Sequence, residues 1–291
     1  MFYLIRRNSL RITAAAVLSL LLLLPFFPQP DFAETAASPR RLPVYSVETA
    51  QKAVALTFDC AWENSDTDEL LAILKEYGVS ATFFATGDFC RRYPDDIRRF
   101  FLAGHAVENH SDAHPHPTAV SADALRADTD KASETIADLT GVSPRYYRAP
   151  YGEYNDAVMR VIEDECGLQV IQWDVDSRDW QGRTAEDMAS SVLSSVQNGS
   201  ILLFHNDTAN TPDALRLIIP ALQEKGFRFV RLDELVLPKG APTDHTGRQT
   251  PGGEASAGSE ISAGRGPEPM KFPQARSQVR AEIGFLARAE I

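Results

Sequence analysis

Short apolar segments rich in β-branched and aromatic residues alternate with amphipathic segments through the middle of the chain. Strands that are apolar almost throughout, each followed by a helix, predict a parallel sheet that is covered by helices. Glycines at 78, 141, 167 and 226 stand where several of the helices are expected to end. The predicted strands are 54–59, 81–86, 106–110, 145–149, 168–175, 200–206 and 227–232, and the predicted helices are 66–77, 94–102, 121–140, 155–165, 184–197 and 211–225.

The two ends of the chain differ from this middle part. Residues 1–43 begin with arginines and an apolar run over 12–27, a pattern typical of an export signal. Because the run is short for a bilayer span, we expect cleavage, with a retained membrane anchor as the alternative. Residues 239–291 are rich in Gly, Pro, Ser, Thr and Ala and are predicted to be a disordered tail. The folded domain is therefore expected over 44–238 and outside the cytoplasm, at the cell wall or secreted.

Charge is also unevenly distributed. The whole chain carries −11, of which the first segment holds +3 and the last +1, so that about −15 falls on the middle part. Non-specific nucleic-acid binding needs clustered Lys and Arg to neutralise phosphates. The acidic domain therefore excludes nucleic acid as a partner.

Reactive side chains stand at the carboxyl ends of most predicted strands. Side chains from many strand ends converge in barrels, whereas an open sheet concentrates them near one switch point. The pattern therefore favours a barrel. The residues concerned are Asp59 in the first strand, His110 in the third, Arg148 in the fourth, Asp174 and Asp176 in the fifth and His205 in the sixth.

A group of four histidines lies between 105 and 116. His110 and His114 are four residues apart, so one helical turn would present both imidazoles to a metal such as Zn²⁺. The spacing alone is more typical of surface residues, but its place after a strand favours a metal. Taken alone, Asp59 could equally well be the N-cap of a helix, and His205 could equally well be a hydrogen-bonded imidazole in the core. A neighbouring acid would raise the pKa of His205.

Taken together, TFDC, HSDAH, RAPYG, DVDSRDW and LLFH, in this order, resemble the five motifs of polysaccharide deacetylases, which form carbohydrate esterase family 4 and share the NodB-homology domain. The resemblance covers about 54–235. It implies an incomplete, distorted (β/α)7 barrel with parallel strands. It also implies metal-dependent removal of acetyl groups from N-acetylated sugars, or from O-acetylated xylan in one branch. Zinc is the expected divalent metal, with cobalt, nickel and manganese as alternatives.

The same resemblance assigns roles to individual residues. The metal polarises the amide carbonyl and activates a water, a base takes the water's proton, and an acid protonates the departing amine. The residues implied are Asp59 as base, Arg148 orienting it, His205 as acid, Asp176 tuning that histidine, His110 and His114 as metal ligands, the backbone N–H of Tyr151 in the oxyanion site, and Trp180 and Leu203 around the acetyl methyl.

One position departs from the family's pattern. The usual third metal ligand is an Asp directly after the base, and this chain has Cys60 there. A thiolate binds zinc well, so ligation by Cys60 is one interpretation. A disulfide with Cys90, or a cysteine that is no ligand, is slightly favoured. Either would leave the third position to water, Glu63, Asp112 or His116, or would weaken the site.

The sequence thus predicts an exported metal-dependent glycan N-deacetylase that acts on an N-acetylhexosamine polymer, with peptidoglycan favoured. Its partners would be that glycan and, if the first segment is uncleaved, the membrane. The alternative is a catalytically weak glycan-binding or structural protein on the same barrel. A glycosidase with Asp59 and Asp176 as paired carboxylates is disfavoured by Arg148 and the two histidines.

Overall fold

A computed structural model describes residues 41–251, which form a curled sheet of parallel strands with helices around it. The hydrogen-bonded order of the main sheet is β6-β5-β4-β3-β2-β8-β7, with β9 paired to the start of β2. The strands are β1 (Ser46–Val47), β2 (Ala53–Cys60), β3 (Thr82–Ala85), β4 (Ala106–Asn109), β5 (Tyr146–Tyr147), β6 (Gln169–Val170), β7 (Val175–Asp176), β8 (Ile201–His205), β9 (Arg228–Val230) and β10 (Arg248–Gln249).

Helices connect the successive strands and cover the outer side of the sheet. They are α1 (Thr67–Glu76), α2 (Gly87–Arg92), α3 (Pro94–Leu102), α4 (Ala122–Thr140), α5 (Asp156–Arg160, continued by a π-helical turn over Val161–Glu165), α6 (Ala185–Ser195), α7 (Thr211–Glu224) and α8 (Leu232–Leu235). Two short 3₁₀ turns, Pro150–Gly152 and Asp179–Gln181, follow β5 and β7. The predicted α/β class and the incomplete parallel barrel are confirmed.

Each predicted strand has a counterpart, but the fifth is broken. Residues 168–175 form β6 and β7, which lie at opposite ends of the strand order. Asp174 therefore precedes β7 instead of ending a strand, and its carboxylate accepts hydrogen bonds from the Ile201 backbone N–H at 2.8 Å and from the Ser200 hydroxyl at 2.9 Å. The prediction that Asp174 lies at the carboxyl end of a strand is wrong, because the chain leaves β6 before Asp174 and enters β7 only after it.

The central strand β2 shows how the two sides of the sheet differ. Alternate residues of a strand face opposite sides. Phe58 and Cys60 pack in the large apolar cluster between sheet and helices, whereas Ala53 and Ala55 pack in the cluster on the other side. Asp59 follows the parity of the second group, so its carboxylate lies on the concave side of the sheet.

The folded unit extends further along the chain than predicted. β10 pairs in parallel with β1, and the fully buried Gln249 uses its side-chain amide to bond the backbone N–H and C=O of Leu237 at 2.9 and 3.2 Å. Residues 239–251 are therefore ordered, and the predicted boundary at 238 is wrong. The composition of this stretch is tail-like, but its backbone pairs with a strand from the start of the domain.

The predicted export segment and the rest of the predicted tail lie outside the described residues. Within 41–251 no helix combines the length and apolar character that crossing a bilayer requires. The cysteines of this range, Cys60, Cys90 and Cys166, are all free thiols.

Candidate active site

The predicted base and acid lie side by side at the carboxyl ends of two central strands. Asp59 in β2 and His205 in β8 are register partners in the parallel pair. Both strands are apolar up to these positions. The fold therefore places a carboxylate and an imidazole next to each other at the edge where the connecting loops begin.

Asp59 is held by a fully buried arginine. Nη1 of Arg148 donates to Asp59 Oδ1 at 2.8 Å and to Thr57 Oγ1 at 2.9 Å, and Nη2 donates to the Gln172 carbonyl at 3.2 Å. The guanidinium carbon lies 4.1 Å from the centre of the Phe84 ring. Burial alone would raise the pKa of Asp59, but the charge and hydrogen bond of Arg148 outweigh it and hold that pKa below its usual range. Asp59 is thus an oriented, ionised carboxylate.

His205 is held in the same way by a buried acid, Asp179. Its Nδ1–H donates to Asp179 Oδ1 at 2.7 Å, and its backbone N–H donates to Oδ2 at 2.7 Å. The Thr211 hydroxyl donates to Oδ2 at 2.8 Å. Burial would lower the pKa of His205, but the hydrogen bond and charge of Asp179 prevail and raise it. His205 therefore keeps a proton to a higher pH than an ordinary histidine, as a general acid requires.

This arrangement corrects the predicted partner of His205. The carboxylate of Asp176 instead accepts the Arg178 backbone N–H at 2.8 Å, although its charge also contributes to raising the pKa of His205. Arg178 has a left-handed backbone with φ 56°, and the 3₁₀ turn Asp179–Gln181 follows it. The chain turns back at this point, so Asp179, and not Asp176, meets the imidazole.

The two predicted metal-binding histidines come together through a loop. Their ring centres lie 4.9 Å apart, yet the residues after β4 are non-helical and Ser111 and His114 have φ of 69° and 56°. Ser111 N–H donates to Asn109 Oδ1 at 2.7 Å, and His114 N–H donates to Ser111 Oγ at 2.8 Å. The expectation of one helical turn is wrong, but the predicted convergence of the imidazoles is found.

Both imidazoles are in the form that binds metals. His110 Nδ1–H donates to the Arg148 carbonyl at 2.9 Å, which leaves Nε2 without a proton, 3.6 Å from Asp59 Oδ2. Burial lowers the pKa of His110, and burial lowers that of His114 to about 4. A neutral imidazole presents a nitrogen lone pair to a cation, and in His110 the hydrogen bond to Arg148 fixes this lone pair on Nε2.

The structure also places the three other predicted site residues. Tyr151 has a left-handed backbone with φ 59°, and its ring lies 4.6 Å from that of His114 and 4.0 Å from that of His116, measured between centres. Trp180 is 62% exposed and follows Asp179 directly. Leu203 is buried in β8, opposite Asp176 in the register.

Comparison with known proteins agrees with this geometry. A family model described as polysaccharide deacetylase matches residues 46–171. The peptidoglycan-N-acetylglucosamine deacetylase of Bacillus cereus is 34% identical over 186 residues, which are 62% of this chain and 67% of that protein.

The chain belongs to the polysaccharide deacetylase family.

Two other relatives show how varied this family is. The peptidoglycan-N-acetylmuramic acid deacetylase PdaC of Bacillus subtilis is 31% identical over 65% of this chain and 40% of that protein. The crystal structure of a pseudoenzyme of carbohydrate esterase family 4 from Bacillus anthracis matches with a TM-score of 0.64 and 30% identity, over 67% of this chain and 68% of that one. A mutant of that pseudoenzyme is described as having restored enzymatic activity.

The departure of this polysaccharide deacetylase at Cys60 has a structural consequence. The thiol faces the helices in the apolar cluster that also contains Phe89 and Cys90, and burial raises its pKa well above the ordinary value. Ligation would require a thiolate. Neither the predicted thiolate ligand nor the predicted disulfide with Cys90 is therefore found.

The remaining donors do not complete a catalytic metal site. Across residues 41–251, no three side chains of His, Cys, Asp and Glu form a metal-binding group. His110 and His114 supply two nitrogens, whereas catalytic zinc sites use three protein ligands and an open position. The donor set does not fit such a centre, so we assign no step of the reaction to a metal.

Several residues that build the site were missed in the sequence. The sequence did contain an indication of Asp179, since it is one of three acids beside two tryptophans in WDVDSRDW. The sequence also contained an indication of Thr57, which is the polar residue two positions before Asp59 and lies on the same side of the strand. Gln172 contributes its carbonyl oxygen, which no side-chain pattern reveals.

Proposed function

We propose that this chain is an exported hydrolase that removes acetyl groups from N-acetylhexosamine units of a glycan, with peptidoglycan as its substrate. The relatives that act on peptidoglycan support the substrate class. The basic and apolar first segment supports export.

The observation that carries the proposal is the pairing of an ionised Asp59 with a proton-retaining His205 on neighbouring strands. Asp59 takes a proton from a water whose oxygen attacks the acetyl carbonyl. The backbone N–H of Tyr151 faces the oxyanion that develops. His205 gives its proton to the amide nitrogen, the C–N bond breaks, and acetate and a free amino sugar leave. Arg148 and Asp179 keep base and acid oriented throughout.

The neutral imidazoles of His110 and His114 are the side chains that could hold a metal ion. Nitrogen donors suit zinc, with cobalt, nickel or manganese as alternatives. With only His110 and His114 to hold it, we expect a divalent cation to bind more weakly than at a site with three protein ligands. Metal analysis of the purified chain and a zinc titration by calorimetry measure this directly.

Acetate release tests the proposal. The purified chain is incubated with peptidoglycan, with N-acetylglucosamine oligomers and with acetylated xylan, each with added zinc and with a chelator. We expect acetate from the two N-acetylated substrates, and its absence from both under all conditions would refute the activity. Chain cleavage without acetate would indicate a glycosidase instead.

A second candidate is a glycan-binding protein with little or no catalysis. The missing third metal ligand supports it, as does the likeness to the Bacillus anthracis pseudoenzyme. Oligomer binding in calorimetry without acetate release, even with added zinc, would favour this candidate over the first.

A further inference from the structure

Exposed aromatic side chains gather around the proposed active site. Large apolar side chains are normally buried, and those that stay exposed together often mark a binding surface. Within residues 41–251 the exposed aromatic side chains are Trp62 at 47%, Tyr151 at 57% and Trp180 at 62%. Tyr151 and Trp180 already have proposed places in the site. Trp62 has none.

The indole of Trp62 lies over the reactive centre. Its ring centre is 5.8 Å from that of His114 and 6.0 Å from that of His205. The residue belongs to the loop between β2 and α1, which begins directly after Asp59 and Cys60. A sugar next to an acetamide that reaches His205 would therefore lie within reach of this ring.

The loop that carries Trp62 is fastened to its neighbours. Arg92 Nη2 donates to the Trp62 carbonyl at 2.8 Å and to Glu63 Oε1 at 2.7 Å. Asn206 Nδ2, next to His205, donates to the Glu63 carbonyl. A further hydrogen bond joins Ser65 to the loop after β8. The indole is thus presented on a fixed support, which lowers the entropy cost of binding a ligand.

The chemistry of such a ring suits a sugar. A pyranose in the chair form has a face of C–H groups, and this apolar face packs flat on an indole while the hydroxyl groups remain in water. We propose that Trp62 binds substrate by stacking on a pyranose ring of the glycan in the cleft. The proposal rests on the proposed function and names the residue that selects polymeric over small substrates.

Two substrates separate binding from chemistry. N-acetylglucosamine oligomers offer sugar rings to stack on, whereas ethyl acetate offers an acetyl group and no ring. For Trp62→Ala we expect about a tenfold rise in KM and in Kd for the oligomers, equivalent to about 1.4 kcal/mol, and a much smaller change in the rate of ester hydrolysis. Trp62→Phe should keep most of the affinity. Leu217→Ala, which truncates an exposed apolar residue of α7 (43% exposed), is the matched control and should change neither.

Calorimetry with the same oligomers keeps the two proposals apart. If the unaltered chain binds oligomers but releases no acetate, the proposed activity fails while the Kd of Trp62→Ala still decides the role of the indole. Equal Kd values for Trp62→Ala and the unaltered chain would overturn the stacking role. So would a parallel loss of ester hydrolysis, which would mean a structural or catalytic effect. Absence of any oligomer binding by the unaltered chain would overturn both proposals.

Discussion

Replacing Asp179 with asparagine removes the charge facing His205 while keeping a side chain of nearly the same shape. Asp179 accepts four hydrogen bonds, from His205 Nδ1–H and backbone N–H at 2.7 Å each, from Trp180 N–H at 2.9 Å and from the Thr211 hydroxyl at 2.8 Å. The amide oxygen of asparagine can keep the bonds to Nδ1 and Trp180. The amide nitrogen then leaves the His205 backbone N–H without an acceptor, a cost of about 1–3 kcal/mol.

The effect on activity should exceed the effect on folding. Without the carboxylate, the pKa of His205 falls, so the imidazole loses its proton at a lower pH and the alkaline limb of the pH–rate profile shifts to lower pH. We expect kcat to fall about 10²- to 10⁴-fold, the usual contribution of a positioned general acid. Acetate release across a pH series measures both changes, and thermal unfolding checks that the variant is folded.

Asp176→Asn is the matched control for this experiment. Its carboxylate bonds the Arg178 backbone N–H and acts on His205 through charge alone, so the substitution should shift the alkaline limb less than Asp179→Asn does and cost kcat little. If Asp176→Asn causes the larger loss, or Asp179→Asn leaves the profile unchanged, the assignment of Asp179 to His205 is wrong.

Three further substitutions test the buried ion pair, the role of Cys60 and the buried Glu108. Arg148→Met leaves Asp59 buried without its cation, so we expect a loss of about 3–5 kcal/mol in the free energy of unfolding; a denaturant titration showing less than about 1 kcal/mol would contradict the pairing. Cys60→Ser should leave zinc affinity unchanged, because the thiol packs among apolar residues; a tenfold weaker Kd in calorimetry would restore the thiolate ligand. Burial raises the pKa of Glu108 from 4.5 to about 7. The folded chain therefore holds this proton more tightly than the unfolded chain, and the free energy of unfolding falls as pH rises from about 4.5 through about 7. Glu108→Gln keeps an acceptor for two backbone N–H groups and has no charge to bury. We expect this variant to be more stable than the unaltered chain near pH 8, by at most about 3 kcal/mol, but not near pH 4. Equal unfolding midpoints of the two chains near pH 8 would contradict this.

The strands were predictable because each is buried and therefore apolar almost throughout, as β2 and β8 show. The break within 168–175 was not, because it depends on which neighbours the backbone meets. Gln172 N–H bonds the Val44 carbonyl, and Asp174 bonds the start of β8. The ordered stretch 239–251 was missed for the same reason, since its order comes from pairing with β1 and not from its own composition.

Within the site, residue types at strand ends were predictable and partners across loops were not. Asp59, Arg148 and His205 lie at or just after the ends of strands, so the strand pattern in the sequence predicts that they lie at one edge of the sheet. Asp179 reaches His205 only because the chain reverses at Arg178, which has φ 56°. Cys60 is different, because strand parity alone predicts that it faces away from Asp59, and the burial of its thiol agrees.

Acetate release from peptidoglycan by the unaltered chain and by Asp59→Asn shows whether the chain is a deacetylase with Asp59 as its base. Released acetate and newly exposed amino groups on the glycan are measured together, with zinc supplied. We expect equal amounts of both from the unaltered chain and background levels from the variant. No acetate from the unaltered chain, or the same amount from Asp59→Asn, would contradict it.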